Sequence, residues 1–451
     1  VYKRQDLMGV RDRLRGTYRL PGDPESLSES AARMAVSANY LRLMGGVTVS
    51  SVPDMARAVF SHGFGRSMRP ILSAFTGSLS SLKGMDAELK AAGPGFEMIL
   101  NTRALAMADI LDDFGRHTQL ERAIDTAQSH FGYASLIAPW NRAMKGISGY
   151  ATQNRLIDAV VRTQAGKARS SDADLLTRLG ISESNAHNIA EQFTRHGQTD
   201  QLGNRIARSD QWEYPALRDM WLNAIRKEVD RLIVTPGQDK PLFASTSLGR
   251  VIMQFRSYNF AATQRVLISY TQGLISSRDA HVAMALISQV GLGMMVAKHK
   301  AEQYGIDTSG WGPDKWLIEG VDRAGLLAVF SDINMMVEYG SAGNLGLSAM
   351  AGDGRMSRYA SRNAVGQFMG PTAGLAADAF SASAIPFEMV KPEDEREIHR
   401  SQIRAARRLL PFQNVFYIRS IFDRIEDSVG TALDAEGESI AERKASSEIS
   451  E

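Results

Sequence analysis

Eight histidines stand at positions 62, 117, 130, 187, 196, 281, 299 and 399, and no two are four residues apart. A helical zinc site needs imidazoles on one face at that spacing, so the pattern offers no His-Glu-x-x-His hydrolase. The chain has no cysteine, which excludes disulfides, thiolate metal sites and thiol nucleophiles. Serine chemistry needs a base held against the hydroxyl in a defined strand or turn. The two fragments of the right kind, Ser80-x-x-Lys83 and Gly63-Phe64-Gly65-Arg66-Ser67, come without that setting. No cofactor, metal or small-molecule substrate is expected.

Two patterns point to binding. Leu179-Gly180-Ile181-Ser182 is similar to the Gly-hydrophobic-Gly turn of a helix-hairpin-helix, in which backbone N–H groups approach a DNA phosphate. Ser182 stands where close approach needs glycine, and Gly180 and Ser182 equally suit the end of one helix and the cap of the next. Arg396, Arg400, Arg404 and Arg408 repeat every fourth residue, along one flank of a helix expected from Pro392 to about residue 410. Neither Arg404 nor Arg408 has an acid four residues away, so the stripe reads as a solvated face or as contact with an acidic partner. Packaged DNA is one such partner. The acidic tail of a neighbouring subunit is another, since residues 431–451 carry six acids against two bases.

The elements that must position these groups are helices. With 451 residues the chain can bury a large core, and a formal charge of +2 lacks the global basic footprint of a dedicated nucleic-acid binder. Val1 in place of Met fits a processed protein or a piece of a longer one. The expected class is all-α: a multi-helix, elongated assembly of two domains, 1–235 and 236–430, with 431–451 as a tail. Pro236 to Pro241 marks the hinge between them. Helices are predicted at 3–18, from the Ser26-Leu27-Ser28-Glu29 capping box to Gly45-Gly46, from Pro53, and over 96–114, 118–130, 150–164 and 214–234. Val47–Val52 alone is β-branched enough for a strand, and Gly340–Gly354 reads as a glycine-rich surface loop.

The organising element is residues 249–275, expected as one helix with two apolar faces. Val251, Phe255, Tyr258, Ala262 and Val266 make one stripe; Met253, Phe260 and Leu267 make the other. Gln254, Ser257, Gln264 and Arg265 form a polar seam between them, and Arg256 begins a shorter one; buried between layers, these groups need partners. The most hydrophobic run follows at 280–297, with Val282, Leu286, Val290 and Met294 on one side. It is short of the ~20 apolar residues of a spanning helix, so it is expected buried in one state and available to a membrane in another. Val415, Ile418, Phe422, Ile425 and Val429 form a heptad-like seam in a last helix opened by Phe412-Gln413-Asn414.

Several short motifs occur in order: Val229-Asp230-Arg231-Leu232-Ile233, Pro236, Gln254-Phe255-Arg256-Ser257-Tyr258, Arg278-Asp279, Val321-Asp322-Arg323-Ala324-Gly325-Leu326-Leu327 and Leu410-Pro411-Phe412-Gln413-Asn414. Together they resemble the C-terminal module of the large internal virion (ejection) proteins of tailed bacteriophages, over roughly residues 212–430. The resemblance implies a helical structural protein packed near the portal inside the virion and released with the genome. It would then join copies of itself and other internal virion or portal proteins in a conduit across the host envelope, touching the host membrane. Such proteins often carry a lytic transglycosylase marked by Glu-Ser and a following Gly-Leu-Met-Gln. Glu25-Ser26, Glu183-Ser184 and Glu438-Ser439 occur here and Gly-Leu-Met-Gln does not, so any catalytic domain would lie outside this chain. The alternatives are a helical nucleic-acid-binding module, a non-catalytic part of a larger virion enzyme, and an enzyme whose site is assembled from scattered residues.

Overall fold

A computed structural model describes residues 2–75, 119–234, 240–275, 279–346, 370–392 and 395–440, apart from 16, 20, 24, 305, 328, 342, 343 and 438, and also 349 and 442. The protein is all-α, with one two-residue hairpin pair, Gln198–Thr199 (β1) against Arg205–Ile206 (β2). The predicted helix at 96–114 and the link at 78–95 lie outside the described residues.

Helix α1 (Tyr2–Leu14) is exposed along most of its length, and Arg13 donates to the Lys240 carbonyl at 2.7 Å. Helix α2 (Leu27–Leu43) starts at Ser26 as expected, although the Ser26 side chain forms no cap bond. Gly45-Gly46 does not end the run: a 3₁₀ turn, Met44–Gly46, leads into α3 (Val47–Ser50). The expected strand at 47–52 is therefore helix and turn. Thr48 donates to the Ser135 carbonyl and Val47 enters the core, so tertiary packing overrides β propensity. Pro53 precedes α4 (Asp54–Phe60), followed by α5 (Phe64–Phe75), α6 (Gln119–Ala134) and the long α7 (Ile137–Gln164).

Around α7 pack α8 (Ser170–Leu179), α9 (Glu183–His196) and α10 (Pro215–Leu232). Their apolar stripes close the largest core, centred on Leu156, Ile157, Ile189, Trp221 and Ile225, none exposed. Gly180 ends α8 with φ +82°, and Ser182 Oγ accepts from the Asn185 N–H at 3.3 Å, so the turn 179–185 is a cap and a stop.

The organising stretch is not one helix. It comprises α11 (Ser247–Met253), α12 (Ser257–Ala262), a π turn (Thr263–Ile268) and α13 (Ser269–Ile275). Neither glycine nor proline makes the break. Gln254 takes extended ψ and Phe255 takes φ +69°, a conformation costing an L-residue about 1–2 kcal/mol. The cost is offset because buried Gln254 donates Nε2 to the Val36 carbonyl at 2.7 Å and accepts from Asn39 Nδ2 at 3.0 Å.

Next come α14 (Ala280–Tyr304), α15 (Pro313–Arg323), α16 (Val329–Gly340), α17 (Pro371–Val390), α18 (Arg400–Leu409) and α19 (Arg419–Ala432). The expected boundary at 235/236 does not separate two cores. Val36, Tyr40, Phe131 and Ile137 share one cluster with Val251, Phe255, Phe412 and Val415. Of the predicted hinge, residues 236–239 lie outside the described residues, and a proline–glycine pattern carries no information about contacts made elsewhere. The tail is likewise tied at its start, where Glu436 N donates to Ile398 O and Arg400 N to Glu436 O, both at 2.9 Å.

Replacing Gln254 by alanine leaves the Asn39 amide short of a buried partner. The expected loss is roughly 1–3 kcal/mol, read as a lower denaturant midpoint at unchanged m-value. A loss below the error of the extrapolation would mean that the break is held by other groups.

Candidate functional site

Two of the short motifs bond α2: Gln254 meets Val36 and Asn39, and Leu410–Asn414 meets its C-terminal turn. A helix ends with carbonyls that have no intrahelical donor. Here the last three are met by one distant segment: Phe412 N donates to Leu41 O at 3.0 Å, Gln413 Nε2 to Arg42 O at 3.0 Å and Asn414 Nδ2 to Leu43 O at 3.1 Å. Leu-Pro-Phe-Gln-Asn is thus a cap supplied in trans and does not open the last helix, which starts at Arg419. Phe412 sits at φ +63° with its ring against Phe131, centroids 5.1 Å apart, and Phe131 in turn meets Tyr40 at 5.0 Å. Gly45 is needed for the approach, because a Cβ there would stand 2.2 Å from the Asn414 carbonyl carbon.

Arg42 extends the junction by binding Asp378 at 2.7 Å and the Arg408 carbonyl at 3.3 Å, and Asn39 Nδ2 also donates to Thr372. Gln254, named from sequence as an interaction residue, therefore works inside the fold. Ser257 is buried and Arg256 partly so. Arg265 donates to the Asp230 carbonyl at 3.2 Å, and Gln264 alone of that seam is exposed.

Beside the junction lies a cavity of about 500 Å³ lined by Phe255 and Tyr258 from one motif, Asp322 to Gly325 from another, and Asn414 from the third. Asn259 bridges to Asp332 across it at 2.9 Å. Burial pushes the Asp322 carboxyl up to about 6, against the pull of Arg323. A second charged group is buried between α4, α8 and α10. Glu228 there receives Arg231 at 2.5 Å, Arg178 at 3.2 Å and His62 Nε2 at 3.3 Å. Burial alone would raise the Glu228 carboxyl; Arg178 and Arg231 outweigh it and hold it well below the usual range. Burial likewise lowers His62, against the pull of Glu228.

The arginine stripe is corrected in two ways. The helix begins at Arg400 and not at 392, because Ile398 is buried with Ile403 and Ala435 while the backbone at 398–400 pairs with Glu436. Arg396 therefore lies off the helix and donates to the Lys391 carbonyl at 3.0 Å. The rest of the stripe meets acids of the same chain. Arg404 bonds Glu426 at 3.0 Å, Arg407 reaches Asp423 at 2.6 Å and Glu426 at 2.8 Å, Arg400 reaches Asp427 at 3.5 Å, and Arg408 reaches Asp378 at 3.5 Å. Glu426 and Asp423 are themselves buried, so Arg400, Arg404 and Arg407 fasten α18 to α19, while Arg408, 56% exposed, reaches Asp378 on α17.

The apolar run is the first part of α14. Val282, Leu286 and Val290 pack on the cluster around Ala261, Val266 and Ala324, with Met294 partly buried. Gln289 is fully buried, accepting from Tyr270 at 2.8 Å and donating to the Ala324 carbonyl at 2.8 Å. Yet Met284, Ile287 and Met295 are 51%, 73% and 66% exposed, so the expected burial is one-sided.

Chemistry-like fragments go to structural work. Ser67 Oγ donates to the Val59 carbonyl at 2.8 Å, and Ser26 and Ser182 occupy helix caps. Ser80 and Lys83 lie outside the described residues, among which no group of three or more His, Asp or Glu is placed to hold a metal ion. Comparison with protein-family models, curated proteins and solved structures gives no match to this chain.

Two outcomes follow from the geometry. A raised carboxyl binds its proton more tightly folded than unfolded, so its contribution to stability rises as pH falls from 7 through about 6 towards 4. Asp322→Asn should flatten that slope and gain up to roughly 2 kcal/mol above pH 7, as read from denaturation at several pH values; an unchanged slope would remove Asp322 as its source. Gly45→Ala should cost about 1–3 kcal/mol by forcing residues 412–414 off α2, measurable as a lower midpoint in urea.

Proposed function

We propose that this chain is a structural internal virion (ejection) protein of a tailed bacteriophage and that residues 1–451 carry no catalytic site. On this reading it is stored near the portal in the virion interior and leaves with the genome. It then helps build a conduit across the host envelope, with copies of itself and other internal virion or portal proteins as partners. The motif order supports the family reading. The observation that carries the membrane step is α14. Its segment Ala280–Gln303 has the length and composition to cross a bilayer, and 28% of its apolar 18-residue window is buried. A purely structural core helix would be covered on all sides; this one keeps apolar side chains outward while Gln289 anchors its inner face. Inserted among other helices, the same glutamine amide has hydrogen-bonding work to do in lipid.

Pairing within the chain leaves the Arg400–Arg408 stripe with little charge to offer phage DNA, which favours the structural reading over the nucleic-acid module. Flotation with phosphatidylcholine–phosphatidylglycerol vesicles tests the membrane step. The chain should bind after mild acid or denaturant release, and Ile287→Glu, at an exposed position, should reduce binding about tenfold or more without altering the fold. Binding that ignores this substitution would assign α14 to the ordinary core. Salt-dependent retention of the native chain on DNA, lost with Arg404→Glu, would instead favour the nucleic-acid reading.

A further inference from the structure

Helix α17 contains no buried residue. One side is held by Asp378, which receives Arg42 and Arg408. The other presents Phe380, Phe387 and Val390 at 83%, 74% and 87% exposure, with Ala376 and Ser383 exposed between them. Together with Ala373 these positions step 3, 4, 3, 4 and 3 residues, the alternation of a helix–helix seam and not of a surface helix turned to water. We infer that this outward face of α17 is a contact between two copies of the chain, formed by antiparallel pairing of α17 with itself.

The seam is self-complementary. A two-fold axis between Ser381 and Ala382 sets Phe380 against Ser383, Phe387 against Ala376 and Val390 against Ala373 of the other copy. Every large side chain meets a small one, as knobs need holes, and the same patch serves both copies, as a two-fold contact requires. Charge favours a second copy over other occupants. The only ionised residues of α17 are Asp378, turned inward, and Glu388, paired with Lys391 at 2.8 Å, so two copies meet without like-charge repulsion. Helices that lie on lipid carry lysine or arginine beside the apolar face, and residues 371–390 contain neither. Size also suits: at ~200 Å² per aromatic side chain, the exposed parts of Phe380, Phe387 and Val390, with those of Ala376 and Ser383, come to roughly 500 Å² per copy. Doubled, that reaches the ~1,000 Å² at which a specific interface begins. The contact does not depend on the ejection reading.

The absence of cysteine makes the test clean. Light scattering of the full chain at micromolar concentration should show a dimer or a multiple of one. Phe380→Glu with Phe387→Glu should weaken self-association about 100-fold at unchanged melting temperature, since both positions are exposed. A chain carrying Ala376→Cys and Phe387→Cys should oxidise to a disulfide-linked dimer. Those residues lie ~16 Å apart along one helix and cannot bridge internally. Either single-cysteine chain should stay unlinked. A monomeric native chain would overturn the inference, as would assembly indifferent to the glutamates. So would a glutamate variant that keeps its dimer and instead loses binding to phosphatidylcholine–phosphatidylglycerol vesicles.

Discussion

The described architecture hangs on the unsatisfied carbonyls at the end of α2. Three backbone oxygens at Leu41, Arg42 and Leu43 are bonded by Phe412, Gln413 and Asn414, some 370 residues downstream by sequence separation. Once that turn is fixed, Arg42 is aimed at Asp378, Asn39 at Gln254 and Thr372, and the Tyr40–Phe131–Phe412 rings close over the core. A buried carbonyl left unpaired costs about 1–3 kcal/mol, a cost that applies at Leu41 and Arg42, both buried, while the Leu43 bond is exposed. Segments whose order alone suggested a relationship are thus mutually dependent in space.

What the sequence made legible is whatever local periodicity encodes. The all-α class, the helix at 214–234, the stop at Gly180 with its cap at Ser182, and the apolar run after Asp279 all stand close to where the pattern put them. The failures share one cause. Val251 to Ile275 has the spacing of one continuous helix, and nothing in the chain nearby argues otherwise. The break at Gln254–Phe255 is written in Val36 and Asn39, about 215 residues away. The strand expected at 47–52 failed for the same reason, since Thr48 finds its partner at Ser135.

The arginine stripe shows the same limit for charge. Scanning three and four residues from Arg404 and Arg408 finds no acid, which is correct and uninformative, because Glu426 and Asp378 arrive from other helices. A charge run is solvated only if the fold leaves it so. The candidate site was legible in part: Gln254 and Ser257 do find buried partners or burial, as a polar seam between layers must, while Gln264 points outward. The Asp322 cavity was invisible, since it needs the break at Phe255 to exist.

Charged groups lie inside the fold and large apolar ones outside it. Glu228, Lys145, Asp172 and Glu426 are buried, while Phe380, Phe387, Val390, Ile287 and Met295 face outward. Buried ion pairs contribute little net stability, because desolvating each charge cancels most of the attraction between partners. They do fix geometry, since a pair broken on one side leaves a charge stranded at a cost of about 3–5 kcal/mol. The apolar groups outside the core contribute nothing until something covers them. The described chain thus draws its stability from the buried apolar clusters and its geometry from specific polar pairing, while a contact that covers α14 or α17 has hydrophobic free energy still to gain.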